Sequence, residues 1–157
     1  MVHDLEELQL GRLNIRCHNV PGHTKGSMVY EVSNTEAPEV APALFTGDAI
    51  FCGGCGALFE CSAMVMHAAF QVLLSRLRKD AFLFPGHEYT EMLLQMACRR
   101  EQYNEKALEK LLRARQLRAQ QKPTIPSTLE EELSYNPYLR ASPHELLLLT
   151  QCQPCVE

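Results

Sequence analysis

The chain has 157 residues, of which 46% are hydrophobic and 22% are charged, and its formal net charge is −4. This size and mixture suit one globular domain with a buried core and exclude a chain that is disordered throughout. No apolar run reaches the roughly 18 residues of a membrane-spanning helix, and the acidic start, Met1 to Glu7, lacks the basic and apolar regions of a signal peptide. We therefore expect a soluble intracellular protein, either cytoplasmic or mitochondrial.

The strand patterns lie in the first part of the chain. Residues 13–17, 28–32, 43–45 and 81–84 have the alternation or the apolar composition of β-strands. Residues 33–42 are typical of a surface loop, and residues 52–56 are typical of a flexible, glycine-rich loop. Residues 62–77 have a helical period, and the positions predicted on its apolar face are Val65, Ala69, Val72, Leu73 and Leu77.

From Thr90 onward the sequence predicts helices. The first covers residues 90–100 and the second residues 104–121, with Leu108, Leu111, Leu112 and Ala119 near one face. The spacing of Ser127 and Glu130 is that of a capping box and predicts a short helix that ends before Asn136-Pro137. We therefore divide the chain into a strand-rich region, 1–89, and a helical region, 90–157.

Seven cysteines lie at irregular positions: Cys17, Cys52, Cys55, Cys61, Cys98, Cys152 and Cys155. An odd number without regular spacing is atypical of a disulfide framework, so we predict mostly reduced thiols. Two pairs have C-x-x-C spacing but lie far apart in the sequence, which disfavours a zinc ribbon or a redox motif.

Positive charge is concentrated between Arg99 and Lys122, a stretch with eight Lys or Arg and three Glu. A nucleic-acid face and a solvated helix face are the two interpretations. Tyr103 is the only aromatic residue there that could stack on a base, so we favour the solvated face and expect no nucleic-acid partner.

Two segments of the same design flank a Gly-Asp pair. Each runs into Pro-Gly and then a histidine, His23 in one and His87 in the other, and Asp48 follows the apolar run between them. Taken singly, each histidine fits an ordinary turn, and Asp48 fits a turn or a helix cap. The repetition favours one shared cleft at the strand ends. Imidazole and carboxylate donors suit zinc, iron or manganese, and a carboxylate can bridge two cations.

Six motifs occur in the order and at about the spacing seen in glyoxalase II. They are Pro21 to Gly26, Phe45 to Asp48, Gly54 to Gly56, Pro85 to Tyr89, Pro126 to Glu132 and Tyr135 to Arg140. From about Leu10 to Arg140 the chain therefore resembles glyoxalase II, or hydroxyacylglutathione hydrolase, of the metallo-β-lactamase superfamily. The resemblance implies an α/β (α+β) fold: part of the αββα metallo-β-lactamase sandwich over residues 1–89, then a helical C-terminal region over residues 90–157. Residues 143–157 do not resemble the usual ending of the family.

The resemblance also implies an activity and a site. The activity is metal-dependent hydrolysis of a thioester of glutathione or a related thiol, such as S-lactoylglutathione in methylglyoxal catabolism. By this resemblance, the catalytic and metal-binding residues would be His23, Asp48 and His87, and they would bind one or two ions of zinc, iron or manganese. The residues that contact the substrate would be Gly56, Ala57, Phe59 and Tyr89.

Two departures limit this expectation. The family commonly has a lysine and a tyrosine where Ala57 and Phe59 stand, so either the thiol carrier differs or carrier binding has decayed. The H-x-H-x-D-H motif that precedes the equivalent of His23 has no counterpart, since only His3 and His18 lie upstream and neither has its spacing. The chain resembles the C-terminal half to two-thirds of a glyoxalase II, and we expect little activity from it alone. The alternative is a non-catalytic, truncated relative that acts as an interaction or structural protein and forms a homo-oligomer through an exposed half-core.

Overall fold

A computed structural model of the protein describes residues 2–151. Within them the chain forms a six-stranded sheet, a two-stranded hairpin and six helices. The strands are β1 (Glu7–Leu10), β2 (Leu13–Asn19), β3 (Met28–Asn34), β4 (Ala43–Gly47), β5 (Ile50–Phe51), β6 (Gly54–Cys55), β7 (Phe82–Pro85) and β8 (Ser127–Thr128). The helices are α1 (Ala63–Arg76), α2 (Thr90–Arg100), α3 (Glu105–Ala119), α4 (Leu129–Tyr135), α5 (Pro137–Arg140) and α6 (Pro143–Gln151). The four predicted strands and the predicted helices are thereby confirmed.

The direction of the strands brings three loops to one edge of the sheet. The strand order is β1-β2-β3-β4-β7-β8, in which β4 and β7 are parallel and the other neighbours are antiparallel. Because β3 is antiparallel to both β2 and β4, strands β2, β4 and β7 all point the same way. The loops that follow these three strands carry His23, Asp48 and His87, so the topology places all three at the same edge.

Helix α1 covers one face of the sheet, but not with the residues predicted. Met66, Phe70, Leu73 and Leu77 are buried, whereas Val65 and Val72 are 42% and 46% exposed. The buried set is also spaced at four and three residues and contains the larger side chains, so it gives the sheet more apolar area to cover. Of the five predicted positions, Leu73 and Leu77 are buried.

The opposite face of the sheet is open. Leu44 of β4 is fully buried under α1, while its neighbour Phe45 is 48% exposed. Tyr30 of β3 pairs with Phe45 and is 36% exposed, and Phe82 of β7 is 41% exposed on the same face. An exposed aromatic row on a sheet is typical of an interaction surface.

Helices α2 and α3 pack through small residues and through one of the predicted leucines, Leu111, which is buried with Leu94. Ala97 of α2 and Ala107 and Ala114 of α3 are buried, whereas Leu108 and Leu112 are each 51% exposed. Small side chains let helix axes approach closely, and a pattern that looks for large apolar residues misses them.

The second part of the chain returns to the sheet. The cap of α4 lies one residue later than predicted, with Thr128 and Glu131 forming the capping box. Ser127 and this cap residue form β8, which pairs with β7. Helix α6 packs on α1, and Leu146 is fully buried there. The division of the chain near residue 89 therefore stays a prediction.

The glycine-rich residues 52–56 and the cysteines were also the subject of predictions. Residues 52–56 were predicted as a loop, but the β5–β6 hairpin includes two of them, with Cys52 and Gly53 at its turn. Cys17, Cys52, Cys61 and Cys98 are free thiols, as predicted, while Cys152 and Cys155 lie outside the described residues. No helix in the described part of the chain is long and apolar enough to cross a membrane.

Four cations of the basic stretch make salt bridges. Lys106 pairs with Glu109, Lys110 with Glu131, Arg115 with Glu91 and Arg118 with Glu88. Pairing with carboxylates lowers the charge available to phosphates, which supports the solvated-face interpretation. The absence of a nucleic-acid partner stays a prediction.

Truncating α1 tests which of its faces is buried. We expect Phe70→Ala to lower the free energy of unfolding by about 3–5 kcal/mol, because it empties a buried aromatic site. Val65→Ala should change it by less than about 1 kcal/mol, because that side chain is exposed. Urea denaturation measures both, and equal losses would contradict the assignment of the faces.

Candidate active site

Asp48 lies at the end of β4, where the chain turns sharply. Gly47 has a φ of +49°, which an L side chain rarely adopts. The backbone N–H of Gly86 donates to the Gly47 carbonyl over 2.9 Å, which ties the turn after β7 to the turn after β4. The Asp48 side chain is 34% exposed, so its carboxylate is fixed at the edge of the sheet but open to solvent.

His23 lies on one side of this carboxylate. Its Nε2 is 3.6 Å from Asp48 Oδ2, and its side chain is only 17% exposed. Its Nδ1 donates to the Ala57 carbonyl over 2.8 Å. A carbonyl can only accept, so Nδ1 carries a proton, and in the neutral ring the lone pair of Nε2 faces the carboxylate. Two electron-rich atoms facing each other are stabilised by a proton or a cation between them.

His87 lies on the other side of the same carboxylate. Its Nε2 is 3.5 Å from Asp48 Oδ1, and its side chain is 53% exposed. The ring stacks on Tyr89 at a centroid distance of 5.1 Å and an interplanar angle of 15°. Phe51 packs edge-on against both rings, at 6.1 Å from His87 and 5.3 Å from Tyr89. The structure thus brings together the three residues that the sequence singled out.

Two glycines are required by this close approach. A Cβ on Gly86 would lie 2.6 Å from Asp48 Oδ1. A Cβ on Gly56 would overlap the Asp48 carbonyl oxygen and lie 2.9 Å from His23 Nδ1. The glycine of the second Pro-Gly-His segment and the glycine that follows Cys55 therefore leave room for Asp48.

The donors suit a transition-metal ion in type but not in number. Two ligands of a tetrahedral zinc ion lie about 3.3 Å apart, close to the 3.6 and 3.5 Å measured here. Each histidine faces a different oxygen of Asp48, however, and among residues 2–151 no three His, Cys, Asp or Glu side chains are grouped to hold one ion. A catalytic zinc ion takes three protein ligands, and the grouping among residues 2–151 falls short of that set.

The upstream histidines do not complete the site. His18 is 1% exposed, and its Nε2 lies 3.0 Å from Glu31 Oε2. The amide of His3 donates to Glu6 at the exposed start of the chain. Neither interaction is with Asp48.

The predicted substrate residues lie beside the two histidines. Gly56 and Ala57 pass directly against His23, and Phe59 lies over its ring at 4.7 Å while remaining 72% exposed. Tyr89 stacks on His87. The structure thereby places an aromatic ring beside each histidine, exposed at Phe59 and partly buried at Tyr89, and substrate binding by these residues stays a prediction.

A buried polar cluster, which we call the Glu132 cluster, was missed by the sequence reasoning. Its members are Cys52, Gly53, Ser127, Glu132, Tyr135 and Asn136, and Glu132 is 0% exposed. Burial raises the pKa of the Glu132 carboxyl group above its usual value, against the opposing effect of four hydrogen bonds. Burial, with the nearby Glu132, also raises the pKa of the Cys52 thiol to about 12. The signal that could have found Glu132 is its spacing from Leu129 and Asn136, which puts all three on one helix face.

Comparison with known proteins finds relatives of this chain among hydroxyacylglutathione hydrolases. Residues 88–154 match the family model described as hydroxyacylglutathione hydrolase C-terminus. The chain is 41% identical over 153 residues to hydroxyacylglutathione hydrolase cytoplasmic of Arabidopsis thaliana, covering 97% of this chain and 58% of that protein. It is 43% identical over 137 residues to hydroxyacylglutathione hydrolase-like protein of Gallus gallus, covering 87% of this chain and 48% of that protein. The chain spans about half the length of the curated relatives it matches.

Solved structures identify the fold. A metallo-beta-lactamase from Staphylococcus aureus subsp. aureus COL superposes with a TM-score of 0.70 at 20% identity, covering 98% of this chain and 39% of that chain. ETHE1 from Myxococcus xanthus superposes with a TM-score of 0.64 at 20% identity, covering 98% of this chain and 53% of that chain. The chain has part of a metallo-β-lactamase fold, which confirms the predicted fold class.

Substituting two glycines tests the close approach at Asp48. We expect Gly56→Ala to lower the free energy of unfolding by at least about 1–3 kcal/mol, because the new Cβ overlaps backbone. Gly26→Ala is the control, since a Cβ there meets nothing within 4 Å, and its effect should be neutral or stabilising by about 0.4–1 kcal/mol. Chemical denaturation measures both. A Gly56→Ala variant as stable as the wild type would show that the turn has more room than described.

Thiol labelling tests the burial of Cys52. With a pKa near 12, little thiolate forms at pH 8, so we expect Cys52 to resist iodoacetamide in the folded protein. The half-buried Cys61 should be alkylated first. Mass spectrometry of peptides after timed labelling gives both rates, and equal rates would contradict the buried cluster.

Proposed function

This chain has a glyoxalase II-like C-terminal portion, and from that premise we propose that it forms one side of the active site of a metal-dependent thioester hydrolase. The substrate we propose is a thioester of glutathione or a related thiol, such as S-lactoylglutathione in methylglyoxal catabolism, hydrolysed in the cytoplasm. The observation that carries the proposal is the carboxylate of Asp48 between the Nε2 atoms of His23 and His87, at 3.6 and 3.5 Å.

The chain's own residues prepare the site. Zinc, iron or manganese held by His23, Asp48 and His87 would supply a water of lowered pKa and polarise the thioester carbonyl. The Ala57 carbonyl holds the His23 ring by its Nδ1–H, which leaves Nε2 free to act as a ligand. Phe51 and Tyr89 pack against the ring of His87, which restricts its orientation while the side chain stays 53% exposed.

Phe59 and Tyr89 are the proposed contacts of the acyl or carrier group. The ring of Phe59 is 72% exposed beside His23, where it can pack on an apolar part of the substrate. Ala57 and Phe59 offer no cation and no hydroxyl, so binding of the carrier there depends on apolar contact and on backbone groups. Thioesters of several thiols should be assayed for this reason.

A chimaera tests the proposed activity. We expect the chain alone to bind zinc weakly and to hydrolyse S-lactoylglutathione little, because a catalytic zinc site needs further ligands. Joined to the part of the Arabidopsis relative that it does not match, the chain should hydrolyse the thioester. In that chimaera Asp48→Asn should lower the rate by about 100-fold or more, because the amide removes the negative charge and replaces one of the two carboxylate oxygens with an NH2 group that cannot bind a metal.

Asp80→Asn is the matched control in the chimaera. Asp80 is an exposed carboxylate that pairs with Arg78 before the start of β7, and its loss should leave the rate unchanged. Metal content and initial rates are measured together. The proposal fails if Asp48→Asn retains the activity of the chimaera. The expectation of an incomplete site fails if the chain alone holds nearly two metal ions and is an active thioesterase.

A second candidate function is supported by the open face of the sheet. Phe45 stacks on Phe84 at a centroid distance of 5.5 Å and lies directly beside Tyr30. The aromatic row crosses three neighbouring strands, so two copies can pack face to face as the two sheets of a sandwich. In this candidate function the chain is a non-catalytic relative that forms a homodimer.

Sedimentation across a range of concentrations tests the homodimer. We expect dimers that dissociate in Phe45→Lys, because a charge would be buried in the contact. Val72→Lys on the exposed side of α1 is the control, because Val72 is 46% exposed away from the open face, and should leave the dimer intact. A wild-type chain that stays monomeric at all concentrations would remove this candidate.

A further inference from the structure

Glu132 is a buried carboxyl group that contacts neither Asp48 nor the two histidines. It lies on α4 and is 0% exposed. Its Oε1 accepts hydrogen bonds from the hydroxyls of Ser127, at 2.6 Å, and Tyr135, at 2.7 Å. Its Oε2 accepts from the Gly53 N–H, at 2.8 Å, and from Asn136 Nδ2, at 3.0 Å. A buried carboxyl group with four donors is costly to place and specific in its geometry.

The Oε2 side of this cluster holds the hairpin β5–β6. Gly53 is at the turn of the hairpin and has a φ of +80°. Asn136 also donates to the Phe51 carbonyl, over 3.2 Å, and to the Gly54 carbonyl, over 3.0 Å. A hairpin with two residues in each strand is too short to be stable alone. Its position is therefore set by side chains of α4 and its cap.

The hairpin leads directly into the residues that hold His23. Cys55 ends β6, and Gly56 and Ala57 follow it. Ala57 accepts the hydrogen bond from His23 Nδ1, and Gly56 packs against the same ring. From the turn at Gly53 to the carbonyl of Ala57 the path is only five residues long, with no loop to absorb a displacement.

We propose that Glu132 is a positioning residue that acts through Gly53 and the β5–β6 hairpin to fix the Ala57 carbonyl, and with it the tautomer and direction of the His23 ring. This gives the helical motifs a role in the strand-rich half of the site. Only the catalytic consequence rests on the proposed hydrolase function. The geometric claim concerns the chain without metal or substrate.

Three substitutions on α4 separate positioning from simple stability. Glu132→Leu removes every acceptor and leaves the Gly53 N–H buried without a partner. Glu132→Gln is the conservative rescue: its carbonyl oxygen can accept from Gly53 and Asn136, and its amide can donate to the two hydroxyl oxygens. Glu130→Gln is the matched control, because Glu130 is an exposed carboxylate on the same helix.

The readout is the tautomer of His23 in two-bond ¹H–¹⁵N spectra of the imidazole groups, recorded without metal. We expect one Nδ1–H form in the wild type, in Glu132→Gln and in Glu130→Gln, and a mixture of tautomers in Glu132→Leu. His67 on α1 is the internal reference and should not change. A folded Glu132→Leu protein with the wild-type His23 spectrum would overturn the proposal.

Two further variants guard against a general loss of stability. Tyr135→Phe removes one donor to Oε1 and leaves the Oε2 side intact, so it should lower stability but keep the His23 spectrum. If Glu132→Leu does not fold, Asn136→Ala is used instead, since it removes the hydrogen bonds from Asn136 to the hairpin carbonyls of Phe51 and Gly54. It should give the same mixture of tautomers, and an unchanged His23 spectrum would overturn the proposal. Zinc affinity should fall about 10-fold in the variants that lose the single tautomer.

Discussion

The position of one carboxylate governs this structure. Asp48 lies between two imidazoles, each facing a different oxygen at 3.6 and 3.5 Å. These separations are longer than a good hydrogen bond, which extends to roughly 3.2 Å, and close to those of two ligands on one zinc ion. Gly56 and Gly86 have no room for a side chain because the carboxylate and its backbone occupy that space. The local sequences of the three loops are consistent with a close approach of their backbone and side chains at Asp48.

The strand directions in the sheet bring the loops that carry His23, Asp48 and His87 together. Strands β2, β4 and β7 run in the same direction, so the loops after them meet at one edge without long excursions. Two helices from the helical half of the chain then pack against the strand-rich half. Helix α6 completes the core against α1, and α4 places a buried carboxyl group against the hairpin that holds His23. Residues of the motifs near 127–140 thus hydrogen-bond to the β5–β6 hairpin, which leads to the carbonyl that accepts from His23.

The sequence predicted the elements and the convergence because both depend on local patterns. Apolar runs that end at Pro-Gly mark strand ends, and the repetition of Pro-Gly-His around Asp48 marks a common edge. Packing against partners was less predictable. Val65 and Met66 are both apolar on α1, and only the position of the sheet decides that Met66 is the buried one. Ala107 and Ala114 are buried beside Leu94 and Leu111 where α2 meets α3, and hydrophobicity alone does not predict the burial of such small side chains.

The burial of Glu132 was not predicted from the sequence. It stands in a run of three glutamates, which is typical of an exposed helix start, and its neighbours Glu130 and Glu131 are indeed exposed. Its burial depends on Gly53, which lies 79 residues away in the sequence, in addition to the nearby donors Ser127 and Asn136. The approach of a hairpin so distant in the sequence leaves no local signature at Glu132, apart from the place of this residue on a helix face.

The most direct measurement is the effect of Asp48→Asn on the imidazole ¹⁵N shifts of the metal-free protein. If the carboxylate lies between the two rings, the loss of its charge should move the Nε2 signals of both His23 and His87, while those of His67 stay in place. A change at only one of the two histidines, or at neither, would show that the three groups do not share a site, and the proposed hydrolase function would lose its basis.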